Sequence, residues 1–179
     1  MTTGQVFSIG YGSQTQSEVL AHLTRAKITY VIDVRSSPFS RFQPEFSREP
    51  LSISLKDREI KYVFMGDLLG GRPKDNDCYT DGRVDYTKTR AKDFFRKGIE
   101  RLKTAHSKGL NICMICSEGH PSQCHRSKLI GEALVEHGIE VTHILPDGGT
   151  KSQAEVIAQL TDGQSDMFGD QFLSRKTYR

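Results

Sequence analysis

No run of apolar residues in this sequence approaches the roughly 18 needed to cross a membrane as a helix. No block of Lys or Arg resembles a nucleic-acid-binding arm. Tryptophan is absent, and cysteine is scarce: Cys78, Cys113, Cys116 and Cys124 are the four among 179 residues. The first residues, Met1-Thr2-Thr3-Gly4, carry neither the charged n-region nor the apolar h-region of a secretory signal, so the expected compartment is the reducing cytoplasm. There the cysteines read as buried, catalytic or metal-binding groups rather than as a disulfide frame. Internal repeats and low-complexity segments are also missing. The formal net charge of +3 is mild. It permits a phosphate-bearing or nucleic-acid partner without requiring one, and no membrane partner is expected.

What remains is an ordinary chain, long enough to bury a core without staples. Strand-like runs alternate with helical ones, which predicts an α/β fold: a single domain with a mostly parallel central sheet flanked by helices. Strands are expected at 6–9, 29–34, 61–65, 110–115 and 139–145, the last of these being the final strand. Helices are expected after the capping box of Thr15 and Glu18, over about 48–58 and 87–107, and from about 126 to 137. The domain is expected to span 1–146, with a polar, partly helical tail over 147–179. Residues 66–84, with Gly70-Gly71 as a turn, read as one long loop, and long loops in compact domains tend to be functional or mobile.

Parallel sheets bind ligands beyond the carboxyl ends of their strands. Three polar segments emerge there: Gly10–Ser13, Asp33–Ser37 and the stretch from Cys116 to Arg126. The third is the most informative, because a helix N-terminus offers unpaired N–H groups and the positive end of a dipole. Arg126 would add a fixed charge with bidentate donors, and Arg35 could reach the same place. A cysteine there, with His120 or His125 nearby, would be acidified and nucleophilic. The candidates for chemistry are therefore Cys116, Cys124, Asp33 and Glu118, and those for substrate binding are Gly10, Tyr11, Arg35, Ser36, Pro38, His125 and Arg126.

Each candidate has a plainer alternative. Cys113 lies in mid-strand and reads as packing. It forms a C-x-x-C with Cys116, but on a strand that spacing puts the two on opposite faces. Cys116 and Cys124 could be structural. Asp33 could be an acid/base group or could orient Arg35. Phe39, Phe42 and Phe46 read as a loop mini-core before a base-stacking platform. Three functions follow: an enzyme acting on a phosphate-bearing or nucleotide-like substrate without a cofactor, a non-catalytic nucleotide or nucleic-acid binding module, and a metal protein using Cys116, His120, Cys124 and His125.

The motifs Ser8-Ile9-Gly10-Tyr11, Ile32-Asp33-Val34-Arg35-Ser36-Ser37-Pro38, Leu68-Leu69-Gly70-Gly71, and Cys116-Ser117-Glu118 with Pro121 and Cys124-His125-Arg126 occur in the order of the DUF488 family, which the chain resembles over about residues 6–145. That resemblance implies a shared site, not a reaction. A weaker likeness is to rhodanese-like and cysteine-phosphatase domains, which share an Asp-Val-Arg strand end and a Cys-loop-Arg-Ser segment before a helix. Their cradle needs a shorter loop. Here nine residues separate Cys116 from Arg126 and one separates Cys124 from it. The likeness therefore implies anion binding rather than sulfur or phosphoryl transfer.

Overall fold

The computed structural model describes residues 3–161 and 172–178. Strand β1 (Val6–Gly10) leads to α1 (Gln16–Arg25), β2 (Tyr30–Asp33), α2 (Arg48–Lys56) and β3 (Lys61–Phe64). Next come α3 (Gly66–Leu69), the hairpin strands β4 (Tyr79–Thr80) and β5 (Arg83–Asp85), α4 (Tyr86–Arg90) and α5 (Asp93–Ser107). The chain continues through β6 (Ile112–Cys116), a π-helical stretch (Arg126–Gly131) running into α6 (Glu132–Glu136), β7 (Val141–Ile144), β8 (Thr150–Ser152), α7 (Gln153–Thr161) and β9 (Leu173–Thr177).

The fold is α/β, as the alternation predicts. A six-stranded sheet runs in the order β3-β2-β6-β1-β7-β8, parallel throughout except for β8, which pairs antiparallel with β7. Its centre is β6, all five of whose residues are buried. A parallel strand covered on both faces needs such an uninterrupted apolar run. One face packs Val6, Ile32, Met114 and Cys116 against Phe95, Ile99 and Leu102 of α5 and Leu129 and Leu134 beyond it. The other packs Ile9, Val31, Cys113 and Ile115 against Val19 and Leu23 of α1 and Leu51 and Leu55 of α2. The two cysteines of β6 thus face opposite sides of the sheet, in accord with strand periodicity.

The capping box forms as expected: the Thr15 side chain accepts from the Glu18 N–H, and Glu18 accepts from the Thr15 N–H at 2.7 Å. The helix expected over 87–107 is broken in two. Lys92 is extended between α4 and α5, and its ammonium pairs with Asp75 at 2.7 Å and Asp77 at 3.3 Å, holding the break. The 66–84 segment is not one loop. It contains α3, a 3-10 turn (Asn76–Cys78) and the β4–β5 hairpin, pinned by the fully buried Cys78 and Val84. Nor is β7 the last strand. The polar tail supplies β8 and α7, and its β9 pairs antiparallel with β5 to make a second, three-stranded sheet. Among the described residues no helix is long and apolar enough to cross a membrane.

Candidate active site

The register Gly10↔Cys116 and Asp33↔Ile115 brings the ends of β1, β2 and β6 side by side. A cavity of about 500 Å³ opens above them. Tyr11 lines it from β1, Arg35 and Ser36 from β2, and Cys116 from β6. Glu118, Cys124 and His125 line it from the following loop.

Deepest in that wall sit Cys116, Cys124 and His125, at 5%, 1% and 9% exposure. Their sulfur and imidazole nitrogen atoms all lie within 4.8 Å of one another. His125 Nε2 is 3.0 Å from the Val34 carbonyl oxygen. A carbonyl only accepts, so Nε2 carries the hydrogen and a neutral ring presents its Nδ1 lone pair elsewhere. Nδ1 lies 3.6 Å from Cys124 Sγ and 4.0 Å from Cys116 Sγ. Two thiols therefore face one proton acceptor.

Electrostatics separates the two thiols. Hydrogen bonding from Cys124 holds the Cys116 thiol well below the ordinary range. His125 and the positive charge of Arg126 act in the same direction, outweighing burial. Burial pushes Cys124 the opposite way, and its hydrogen bond to Cys116 and the charge there add to the effect. The arrangement makes Cys116 the more acidic of the two thiols, with Cys124 as its hydrogen-bond donor. Cys113, on the other face, is pushed far up by complete burial.

Gly71 matters here through close approach rather than as a turn. A Cβ at that position would lie 2.7 Å from His125 Nδ1 and 2.8 Å from its Cγ, against the ring itself. Gly10 has a similar role: a Cβ on it would lie 1.7 Å from the Glu118 carbonyl oxygen, so a larger residue would push the 117–119 loop off β1.

Several candidates serve the site without entering it. Arg126 is fully buried and does not face the cavity. Its guanidinium donates to Ser8 Oγ at 3.1 Å and to the carbonyls of Glu118 at 2.5 Å and Gly119 at 2.9 Å, tying down the loop. The expected anion clamp is a loop anchor, because three nearby neutral acceptors claim its fork. Asp33 is likewise fully buried. It grips Arg35 through Oδ1 to Nε at 2.9 Å and Oδ2 to Nη2 at 2.6 Å, and accepts from Tyr62 Oη at 2.7 Å. Of its two readings, the orienting one fits this geometry. Pro38 is outside the cavity wall, with its carbonyl accepting the Arg48 N–H at 2.8 Å. The helix-terminal amides expected to bind an anion are occupied as well, since Ser127 N and Lys128 N both donate to the Cys124 carbonyl.

The remaining candidates face the cavity. Tyr11 stacks on Phe46, with ring centroids 4.1 Å apart and planes 9° from parallel. Its hydroxyl lies 3.4 Å from Arg35 Nη1. Ser36 lines the wall while accepting the Arg72 N–H at 2.9 Å. Phe46 alone of the three loop phenylalanines is core; Phe39 and Phe42 are 70% and 92% exposed, and Phe39 stands at the cavity.

The largest surprise is the contribution of the C-terminal segment: Ser174, Arg175, Lys176 and Tyr178, from the stretch read as a polar tail, line the same cavity as the cysteines. Arg175 and Lys176 reach Glu118 at 3.3 and 3.2 Å, and Arg72 lies 4.7 Å from the Tyr178 ring. With Arg35, these side chains make a wall of four cations and one carboxylate. Only the pairing of Leu173 and Tyr178 around a polar stretch marks this strand in the sequence, too short a pattern to assign.

Three metal-ligating side chains do gather: Cys116, Cys124 and His125 could hold a soft divalent ion, without His120. Arg126, whose hydrogen-bond partners here are all uncharged, places positive charge near them and favours a thiolate over a second cation.

No curated protein matches this chain. The family described as "Domain of unknown function DUF488" matches residues 15–133, which include α1, β2, the Gly70-Gly71 pair, β6 and the Cys124-His125-Arg126 run. The chain belongs to the DUF488 family.

Proposed function

We propose that the protein is a thiol-dependent enzyme acting on a small anionic substrate, with Cys116 as the nucleophile. One observation carries this reading: His125, fixed by the Val34 carbonyl, turns a bare nitrogen toward two thiols at the wall of a cation-lined cavity. A nucleophile needs a neighbouring base, and the base needs a third group to orient it. Cys116, His125 and Val34 fill those roles. Arg35, held by Asp33, and Arg72, Arg175 and Lys176 supply the charge for a phosphate-bearing or nucleotide-like ligand. Phe39 offers an aromatic face at the mouth.

The test is alkylation of the native protein by iodoacetamide, mapped by mass spectrometry, with and without inorganic phosphate or AMP. Rapid labelling of Cys116 at neutral pH, slowed by either ligand, is the expected result. Labelling of Cys116 no faster than that of a free thiol, or unmoved by both ligands, would sink the reading.

A second reading rests on Phe39 and Phe42, which are exposed beside Arg41. Aromatics interleaved with cations suit stacking on single-stranded nucleic acid. Binding of an oligonucleotide that weakens steeply with salt is expected on this reading, and salt-independent affinity would remove it.

A further inference from the structure

The catalytic reading uses one thiol as nucleophile and leaves the second as a hydrogen-bond donor. Cys124, however, sits beside the same nitrogen as Cys116, at 3.6 Å against 4.0 Å. The two sulfurs come from independent elements, the end of β6 and the residue between a 3-10 turn (Pro121–Gln123) and the π-helical stretch. Cys124 itself has extended backbone (φ −124°, ψ 146°) and is outside any regular helix. Its side chain can therefore swing toward Cys116 without breaking a helical ladder. Cys116 is the more exposed of the two, so an incoming electrophile meets it first.

We infer that Cys116 and Cys124 form a dithiol that is oxidised to an intramolecular disulfide, with a small carboxylate-bearing disulfide as its oxidant. This rests on Cys116 being the nucleophile of the proposed enzyme and extends it to the class of electrophile. In the first step the Cys116 thiolate attacks one sulfur of R–S–S–R. A bond forms between Cys116 Sγ and that sulfur, the old S–S bond breaks, and one RS⁻ leaves. In the second step Cys124 passes its proton to His125 Nδ1 and its sulfur attacks Cys116 Sγ. The mixed disulfide breaks, the Cys116–Cys124 bond forms, and the second R–S group leaves as RSH with the proton from His125. Overall, two protein sulfurs are oxidised by two electrons and R–S–S–R is reduced to RS⁻ and RSH. Exchange of this kind runs through a thiolate and a mixed disulfide. The cations Arg35, Arg72, Arg175 and Lys176 select for the charge on R.

The experiment treats the native protein with glutathione disulfide, traps free thiols by alkylation under denaturing conditions, and examines the peptide Gly109–Arg126 by mass spectrometry. The wild-type peptide is expected to lose two hydrogens, with the new bond between Cys116 and Cys124 and Cys113 still alkylated. Cys124→Ser should stop at a glutathionyl adduct on Cys116, and Cys116→Ser should give neither product. Cystamine, a cationic disulfide, should react about tenfold more slowly at low salt, because a cationic wall repels it. A wild-type protein that keeps only the mixed disulfide, or matches Cys124→Ser, overturns the inference. Cystamine reacting as fast as glutathione disulfide overturns the charge selection. Rapid, phosphate-protected alkylation of Cys116 without any disulfide would defeat the dithiol oxidation alone. A Cys116 inert to both reagents would defeat the catalytic reading with it.

Discussion

His125 donates its Nε2–H to the carbonyl of Val34 across 3.0 Å, and this single bond decides what the other side of the ring can do. Val34 directly follows β2, so the tautomer of a loop histidine is set by the backbone of a neighbouring strand. A ring that lost this bond could turn either nitrogen to the sulfurs. Replacing His125 by Gln removes the base and is expected to slow alkylation of Cys116 near neutral pH by about a hundredfold. An unchanged rate, in a variant whose circular dichroism matches wild type, would show that the thiol needs no base.

The pH profile of that alkylation carries a sign. Cys116 has a lowered pKa, so its labelling should reach half its plateau well below the roughly 8.5 of a free thiol. The largest cause is the hydrogen bond from Cys124. Cys124→Ala removes that donor, and the midpoint should move up in pH. A midpoint that stays put or falls would contradict the assignment of donor and acceptor.

Gly71→Ala tests the close approach to the imidazole. The new Cβ would meet the ring at 2.7 Å, and ring and backbone are both held. The expected cost is about 1–3 kcal/mol in urea unfolding, typical of overpacking a filled site. A fall in Cys116 labelling should accompany it.

Glu118 shares the cavity wall with two of its cations. Its carboxylate is partly exposed and pairs with Arg175 and Lys176, also partly exposed. Glu118→Gln releases both cations toward a ligand, and phosphate affinity measured by calorimetry is expected to rise by roughly two- to fivefold, the scale of exposed ion pairs. Weaker binding would place Glu118 in direct contact with the ligand instead.

Behind the site runs a directional chain of buried hydrogen bonds. Arg126 Nε–H donates to Ser8 Oγ at 3.1 Å, and Ser8 meets His143 Nδ1 at 2.6 Å. His143 Nε2 meets Gln153 Oε1 at 2.7 Å, and the Gln153 amide donates to the Ser127 carbonyl and to Glu132. Gln153 Oε1 can only accept, so His143 Nε2 carries a hydrogen, and the Ser8 hydroxyl, accepting from Arg126, can donate its own hydrogen to Nδ1 of a neutral ring. Burial lowers the pKa of His143 from 6.5 to about 4. Between those values the unfolded chain takes a proton that the folded one refuses. Stability is full above pH 6.5 and falls toward pH 4, by at most about 3 kcal/mol from this group. In urea unfolding, the stability gap between wild type and His143→Gln should narrow as pH drops through that window, and a constant gap would exclude the linkage.

Much of this was legible in the sequence wherever a local rule decides. The apolar run of β6, the Thr15–Glu18 cap and the opposite faces of Cys113 and Cys116 follow from periodicity and short-range bonding. So does the collection of Tyr11, Arg35 and Cys116 at one sheet edge. The sequence does not say which polar groups would use up one another. Asp33 and Arg126 read as working groups because their spacing from the cysteines is right, yet each is claimed by partners fixed only by tertiary packing: Arg35 and Tyr62 for one, Ser8 and two loop carbonyls for the other. Arg175 and Lys176 were out of reach for the same reason. They join the cavity through pairing of β9 with β5, some 90 residues earlier in the chain, and nothing local announces that pairing.

Strand β6 carries two clocks. Cys116 meets reagents in the folded protein, whereas Cys113, two positions before Ile115 and sealed beneath α1 and α2, meets them only when the sheet itself opens. The labelling rate of Cys116 therefore times the site, and that of Cys113 times global opening, within one peptide and one sample. A variant that slows the first clock without touching the second has changed chemistry and not the fold.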